Sequence, residues 1–496
     1  MKFFCAIFLS SALAVSAQTG TNAAAARDMS LQDCLSQALT HNFDVQVERY
    51  APQISLYDLN AAYAGWDPTF NISGRHNFNV SGGGLAQNPT NTIPTSTSDA
   101  NTFSSGIGGV LPWGLQYDFT GDIGETYGSS GGGLFDHTSG SIGVSLTQPL
   151  LKNFWIDGTR LTIRLAKNQL KTSEQQLRQQ FMTTITAVED AYYELIFSRE
   201  NVKVQEQALQ VAQTQLDQDK QRVQVGSLAP LDVQQDEAQV SQYKANLISA
   251  QYNLETAQNN LKNLITDSYV QWHDVDIQPT ASLEAPLQLF DLQTSWSKGM
   301  TERPDLIQAR LNLEQQGIRL KYDFNQLFPE LDLIGSYGFN GSSREYNGTF
   351  GQINNGNRPF YSYGGQLTIP LTQTGARNTY KAQKLAKQQA LLQLKQLEQN
   401  AMVQIDNAVK QAQSSYQSVE ATRQARVYAE AALDAEQKKY SVGKSTTFTV
   451  LQLQNNLTAA RSQEIRALAD YNEALANLAE QEGATLEQSD VKVEFN

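Results

Sequence analysis

Two stretches of this chain, Gly158 to Val225 and Gly375 to Val442, contain no Pro or Gly in their interiors. Those are the two residues that most disfavour a helix interior. Each stretch has room for roughly 65 helical residues, or roughly 100 Å at 1.5 Å per residue. A helix that long cannot be wrapped inside one ordinary globular core, so the fold must be extended along it. The stripe on the helices agrees. Val233, Val240, Leu247, Leu254 and Leu261 recur every seven residues, with Asp236, Tyr243, Ala250, Ala257 and Leu264 at the companion position. The helix before it offers Val202, Leu209, Leu216 and Val223, and a later one offers Val450, Leu457, Tyr471 and Leu478 beside Leu453, Ala460, Ala467 and Ala474. A strict heptad stripe specifies coiled-coil packing. Off the stripe stand Gln, Asn, Lys, Glu, Ser and Ala, which suits helices that meet water on two faces.

The chain also states its plan twice. Gly226 and Gly443 stand 217 residues apart, as do Gly158 and Gly375. Leu146-Thr147-Gln148-Pro149-Leu150 matches Leu367-Thr368-Ile369-Pro370-Leu371, and Asp67-Pro68-Thr69-Phe70 matches Phe328-Pro329-Glu330-Leu331. A repeat this long is a duplicated half-molecule and not a solenoid. The first repeat is expected over 28–266, with strands over about 67–150 and helices over about 158–225 and 230–266. A connecting segment, 267–300, leads to a second repeat over 301–483. That repeat is expected to hold strands over about 329–371 and helices over about 375–442 and 446–482, followed by a tail, 484–496.

Between the helices, apolar residues alternate with polar ones. Phe70, Ile72, Phe78 and Val80 share one face, and Asn71, Ser73, Asn77 and Asn79 the other. Leu115, Tyr117, Phe119, Ile123 and Tyr127 repeat the pattern, as do Ile142, Val144, Leu146 and Leu150. In the second half Leu331, Leu333, Tyr337 and Phe339 do so, followed by Tyr361, Tyr363, Leu367 and Ile369. A soluble sandwich alternates too, but strands about ten residues long with aromatics on the apolar face fit a membrane barrel. Segments rich in Gly, Ser, Asn and Thr, from Gly82 to Asn101, Gly128 to His137 and Gly341 to Asn357, are expected to be long exposed loops. Residues 1–17 read as a secretory signal: Lys2, an apolar run from Phe3 to Val15, and small residues at Val15-Ser16-Ala17. Its removal would take Cys5 and leave Cys34 without a partner for a disulfide. Beyond Ala17 no stretch approaches the eighteen or so apolar residues of a spanning helix. Any crossing must be made by strands, which in lipid must close. Four to six strands are too few for a barrel of about eight or more, so several copies must share one.

Several functions are excluded. A net charge of −13 repels nucleic acid. His41, His76, His137 and His273 are scattered, with no HxxxH, CxxC or carboxylate cluster at metal spacing. Gly131-Gly132-Gly133 lacks the Lys-Ser/Thr of a phosphate loop, and no Ser sits in a Gly-x-Ser-x-Gly turn. No catalytic site and no cofactor are expected.

With these elements placed, the chain resembles the TolC-type outer-membrane efflux family over about residues 28–483. Tyr440-Ser441-Val442-Gly443-Lys444-Ser445-Thr446, with Val450-Leu451, is similar to the family's second helix-tip turn. Val225-Gly226-Ser227-Leu228-Ala229-Pro230-Leu231-Asp232-Val233 is similar to the first, and the steps at Pro149 and Pro370 resemble its strand-to-helix swivels. The resemblance implies an α+β fold: antiparallel transmembrane strands contributing to a shared trimeric barrel in outer-membrane lipid, and a periplasmic coiled-coil tunnel. It also implies a periplasmic adaptor docking at Val225, Gly226, Leu228, Ala229, Val442, Gly443, Lys444 and Ser445, and an inner-membrane pump beyond it. Segment 267–300, with Pro279 and Pro286, would be equatorial.

The same register suggests a periplasmic constriction. Phe448 falls where some members place an apolar side chain, and Tyr440 and Asp232 where a Tyr and an Asp tie helices together. The family's acidic ring is replaced by Thr449 and Gln452, and the Arg of some members by Ser445, which favours a hydrophobic and hydrogen-bonded closure over a charge lock. Tyr440 also lies on a seam with Ile405, Ala412, Val419 and Leu433, where simple packing would account for it. Members commonly have two strands per half. Here the segments around Leu111-Pro112-Trp113-Gly114 leave room for four in the first half. The expected function is an exit duct of a tripartite efflux or type I secretion system, passing small molecules, drugs, metals or polypeptides. The rivals are a structural coiled-coil stalk or scaffold with a β head, and an ordinary porin.

Overall fold

A computed structural model describes residues 25–82, 95–130 and 133–489. The expected signal segment lies outside these residues, as do 83–94 of the first long loop, Gly131 and Gly132, and the tail from 490 onward. In chain order the elements are β1 (Ala25–Met29), α1 (Leu31–His41), α2 (Phe43–Tyr63), β2 (Thr69–Ser81), β3 (Ser96–Val110), β4 (Gln116–Ser130) and β5 (Gly133–Pro149). They continue with α3 (Gly158–Gln224), α4 (Pro230–Ile265), α5 (Tyr269–Trp272), β6 (Val275–Pro279), α6 (Leu292–Glu302) and α7 (Pro304–Asn325). The last are β7 (Glu330–Ser343), α8 (Tyr346–Asn354), β8 (Pro359–Thr368), α9 (Thr374–Ser441), α10 (Thr447–Glu482) and α11 (Thr485–Gln488). The chain forms two compact units, and α3, α9 and α10 contribute residues to both.

One unit holds 44–183, 290–410 and the chain from 478, and its centre is an antiparallel sheet in the order β2-β3-β4-β5-β7-β8. Register explains why it has two unlike faces. Phe70, Ile107, Phe119, Val144, Tyr337 and Tyr361 are successive cross-strand partners, a row of apolar side chains across every strand. On the opposite face Ser73, Ser104, Asp122, Ser141 and Asn340 form the equivalent row. The apolar row is not covered: Phe70, Phe119, Tyr337 and Tyr361 are all at least half exposed. β2 pairs only with β3 and β8 only with β7, so the sheet has two open edges among the described residues.

The first half supplies four of these strands and the second half two. The additional pair, β3 and β4, turns at Leu111-Pro112-Trp113-Gly114, where Gly114 has φ +91° and its N–H donates to the Leu111 carbonyl at 2.7 Å. The expected loops are corrected by the ladder. Ser130 pairs with Gly133, so 128–130 and 133–137 belong to two paired strands and not to a long loop. β3 already begins at Ser96, and Gly341 to Asn357 contains the end of β7 and α8. Gly, Ser and Thr favour loops, but pairing to a neighbouring strand overrides that preference. The strands of the first half accordingly run to 13, 15, 15 and 17 residues rather than about ten.

Each half passes from sheet to long helix through a Pro and then a non-Gly residue with a left-handed backbone: Pro149 then Asn153 (φ 64°), and Pro370 then Gln373 (φ 47°). Such conformations are uncommon outside Gly and mark a chain that must turn sharply. Asn325 holds the first turn by accepting from the Asn153 N–H at 2.7 Å, and Gln326 donates to the Asn153 side chain at 2.9 Å.

The other unit holds 25–43, 184–289 and 411–477. β1 and β6 pair in parallel, and Tyr192, fully buried on α3, donates to the Met29 carbonyl at 3.1 Å. Arg199 donates to the Ile277 carbonyl at 2.6 Å and pairs with Asp276. The extended stretch after β6 is fastened to α10, where Tyr471 donates to the Pro286 carbonyl at 2.7 Å and Asn472 to Glu284 at 3.1 Å. The helical seam is buried unevenly. Tyr243, Ala250 and Ala257 of one line of α4 are shielded, whereas on the other line Val233, Val240, Leu247 and Leu254 stay partly exposed and Leu261 is buried.

Candidate functional site

The two helix reversals are built alike. α3 stops at Gln224 because Gly226 takes φ +74°, which closes the last turn: the Gly226 N–H donates to the Val223 carbonyl at 3.0 Å and the Ser227 N–H to Arg222 at 2.8 Å. α9 stops in the same way at Gly443, φ +75°, whose N–H donates to Tyr440 at 3.0 Å while the Lys444 N–H donates to Lys439 at 2.9 Å. This is the left-handed C-terminal cap that Gly adopts without steric cost. α4 then begins with Pro230 at its first position, where no N–H is needed. α10 begins with Thr446 as cap, its hydroxyl accepting from the Thr449 N–H at 3.4 Å.

The two turns present apolar side chains to water. Val225 is 78 % exposed, Val442 66 % and Phe448 64 %; Leu228 is half-buried, and Ala229, Lys444 and Gln452 are exposed. Ser445 donates to Glu436 at 2.7 Å, and Lys439 donates to the same carboxylate at 2.8 Å. Lys439, then Ser445, hold the Glu436 carboxyl below its ordinary range. Thr449 is half-buried beside Thr446, their hydroxyls 3.0 Å apart.

Sequence reasoning placed Tyr440 and Asp232 together; the structure gives the tyrosine a different acid. Its hydroxyl donates to Asp219 at 2.8 Å and lies 3.0 Å from the Thr447 hydroxyl, while Asp232 is half-exposed at the start of α4. Asp219 is 0 % exposed and also accepts from Gln215 at 2.7 Å and Arg222 at 3.2 Å; the Arg222 guanidinium lies 4.8 Å over the Tyr440 ring. Burial raises the Tyr440 hydroxyl further above its ordinary range, so it remains a donor. Above this polar knot Leu433, Val450 and Leu457 form an apolar cluster with Tyr440 against it. Asp219 was missed because its partner comes from the other half of the duplication. The available signal was its spacing: it follows Leu216 by three residues and so sits on the seam, where a carboxylate needs a reason.

Among the described residues no group of three or more His, Cys, Asp or Glu could hold a metal ion, and no helix is long and apolar enough to cross a membrane.

Comparison with known proteins bears on this geometry. The family model described as "Outer membrane efflux protein" matches residues 34–266 and 297–484. Outer membrane protein TolC of Escherichia coli is 27 % identical over 296 residues, which is 58 % of this chain and 59 % of that protein. The match therefore spans somewhat less than two thirds of that relative. Outer membrane protein TolC of Salmonella enteritidis is 27 % identical over 364 residues, 72 % of this chain and 71 % of that one. Among solved structures, the CmeC outer membrane channel of Campylobacter jejuni has the same fold, with a TM-score of 0.66 at 16 % identity over 94 % of this chain and 90 % of the other.

Proposed function

Because the chain belongs to the outer membrane efflux protein family, we propose that three copies form the passive exit duct of a tripartite efflux or type I secretion assembly. It is an outer-membrane protein and not an enzyme. The observation that carries the duct reading is the sheet: one face with an exposed apolar row across every strand, one polar face and two open edges among the described residues. In lipid, unpaired backbone groups cost several kcal/mol each. The β8 edge of one copy must therefore pair with the β2 edge of the next. Three six-stranded sheets close a barrel of about eighteen strands, a size that leaves a water-filled channel. The apolar rows then face lipid and the rows of Ser73, Ser104, Asp122 and Ser141 face the lumen. The half-exposed Val233, Val240, Leu247 and Leu254 line of α4 is likewise free to pack on a neighbouring copy.

In this reading the adaptor engages the two exposed turns at Val225, Gly226, Leu228, Ala229, Val442, Gly443, Lys444 and Ser445, and an inner-membrane pump lies beyond it. Phe448, with Thr449 and Gln452 nearby in sequence and Asp232 at the start of α4, narrows the periplasmic mouth, and Tyr440 ties the closed helices together through Asp219. The turns at Pro149 and Pro370 let strands pass into helices. Cargo is drawn from small molecules, drugs, metals or polypeptides, moved by the pump and not by chemistry in the duct. Outer-membrane fractionation, a heat-modifiable trimer on a gel and ion conductance in a planar bilayer test the proposal together. A monomer that binds no detergent and conducts nothing would end it.

A further inference from the structure

α3 and α4 run antiparallel from the turn at Gly226, and Asp219 of the first stands beside Asp236 of the second. Both are buried, at 0 % and 1 % exposure, and Asp236 lies within hydrogen-bonding reach of Asp219. Asp219 already accepts from Tyr440, Gln215 and Arg222. Neither oxygen of Asp236 has a donor. Two ionised carboxylates are acceptors only and cannot bond to each other, and a buried acceptor left without a donor is costly.

The surrounding charges do not supply the missing donor. On α3, Arg222 is committed to Asp219, and Lys220 is paired with Glu237 of α4 at 3.1 Å. On α4, Asp232 one turn away adds a further negative charge. From α9 come the neutral Tyr440 hydroxyl and the Glu436–Lys439 pair. α10 offers no ionisable side chain between Thr447 and Gln454. Two carboxylates thus share one guanidinium, and the site lacks one cation.

We propose that Asp219 and Asp236 are a proton-operated latch: one proton held between them clamps α3 to α4 beside the tip, and its loss loosens the tip toward opening. This rests on the reading of Tyr440 and its neighbours as the periplasmic closure. Burial, then the Asp219 charge, lifts the Asp236 carboxyl from its ordinary 3.8 to about 7. A carboxyl raised on folding contributes stability that is complete below the ordinary carboxylate range and disappears as pH rises through the folded value. The latch is therefore closed in mildly acidic surroundings and released above about 7.

The test uses the full mature protein in planar bilayers, titrated from about pH 5.5 to 8.5 on the tip side. The parent should open more as pH rises, with a midpoint near 7. Asp236→Asn, whose amide donates to Asp219 at any pH, should stay in the low-conductance state throughout. The parent should also show, in the parent-minus-variant difference spectrum, the infrared carbonyl band of a protonated carboxyl at pH 6 that vanishes at pH 8; Glu189, whose carboxyl burial likewise lifts to about 7, is common to both proteins and cancels. An unchanged pH response in Asp236→Asn, or no such difference band, overturns the latch. So does closure at pH 8 by added calcium that a chelator reverses, since a metal ion would then fill the site. Hydrogen exchange at the Ser227 amide, read against pH, separates this failure from failure of the closure itself. If Phe448→Ala and Tyr440→Ala leave conductance unchanged, the closure reading falls, while the exchange profile still judges the latch.

Discussion

Replacing Gly226 or Gly443 by Ala isolates a backbone effect from every packing effect. A Cβ built at either position meets nothing within 4 Å, so an added methyl group clashes with no neighbour. What remains is the torsion: φ of +74° or +75° costs an L-residue roughly 1–2 kcal/mol relative to Gly. The bonds that depend on this torsion are few and local, from Gly226 to Val223 and from Ser227 to Arg222. Native-state hydrogen exchange at these amides therefore reports the cost directly. Gly226→Ala should speed exchange at Ser227 by roughly 5- to 30-fold, the factor that 1–2 kcal/mol implies. Gly226→Asn should fall between Ala and Gly, because Asn tolerates the left-handed region. The comparison site is Gly483, φ +74°, where a Cβ would lie 2.8 Å from the Glu302 carbonyl carbon and 2.9 Å from the Arg303 nitrogen. There Asn should rescue nothing, since the obstacle is backbone. Equal exchange in parent and Gly226→Ala, or a Gly483→Asn variant as stable as the parent, would refute the reasoning.

Four further outcomes follow from the same structure. Phe448→Ala should raise single-channel conductance in a planar bilayer. Tyr440→Phe should do so as well, because it removes a hydroxyl donated to a buried carboxylate, an interaction worth about 1.5–3 kcal/mol in each copy. Phe119→Arg, in the middle of the apolar row, should lower the yield of heat-modifiable oligomer by an amount matching about 2–4 kcal/mol at the bilayer midplane, while Ser104→Arg, across from Asp122 on the polar face, should leave it unchanged. Tyr471→Phe removes the donor to the exposed Pro286 carbonyl and should cost about 0.5–1.5 kcal/mol, seen as faster proteolysis within 280–290.

The duplicated α+β plan was legible because both of its signals are local. A heptad read along α4 needs no partner to be recognised, and neither does the alternation from Phe70 to Val80. The extent of the strands was not legible. Ser96 to Asn101 and Gly133 to His137 carry loop composition and become strand only because a neighbouring strand pairs with them: β2 and β4 in the first case, β4 alone in the second. The same holds for the polar knot at the tip. Tyr440 could be placed on a seam, yet its acid is 221 residues away in the chain. The relation between the halves of a duplication is set by packing, and no repeat spacing contains it. Asp236 was visible as a carboxylate in a line of Tyr, Ala and Leu, and its meaning depended on knowing what stood opposite.

The open sheet has a consequence for how such a protein comes into being. β2 presents thirteen residues of raw backbone with neither Pro nor Lys to blunt it, and β8 presents ten more. Joining two copies hides one pair of edges and exposes another, so partial oligomers gain little protection over single chains. Only ring closure removes the hazard. If three copies close the ring as proposed, construction is all-or-none, and one defective copy is enough to spoil the whole product: a faulty variant expressed beside the parent would act dominantly, through poisoned rings rather than through missing ones.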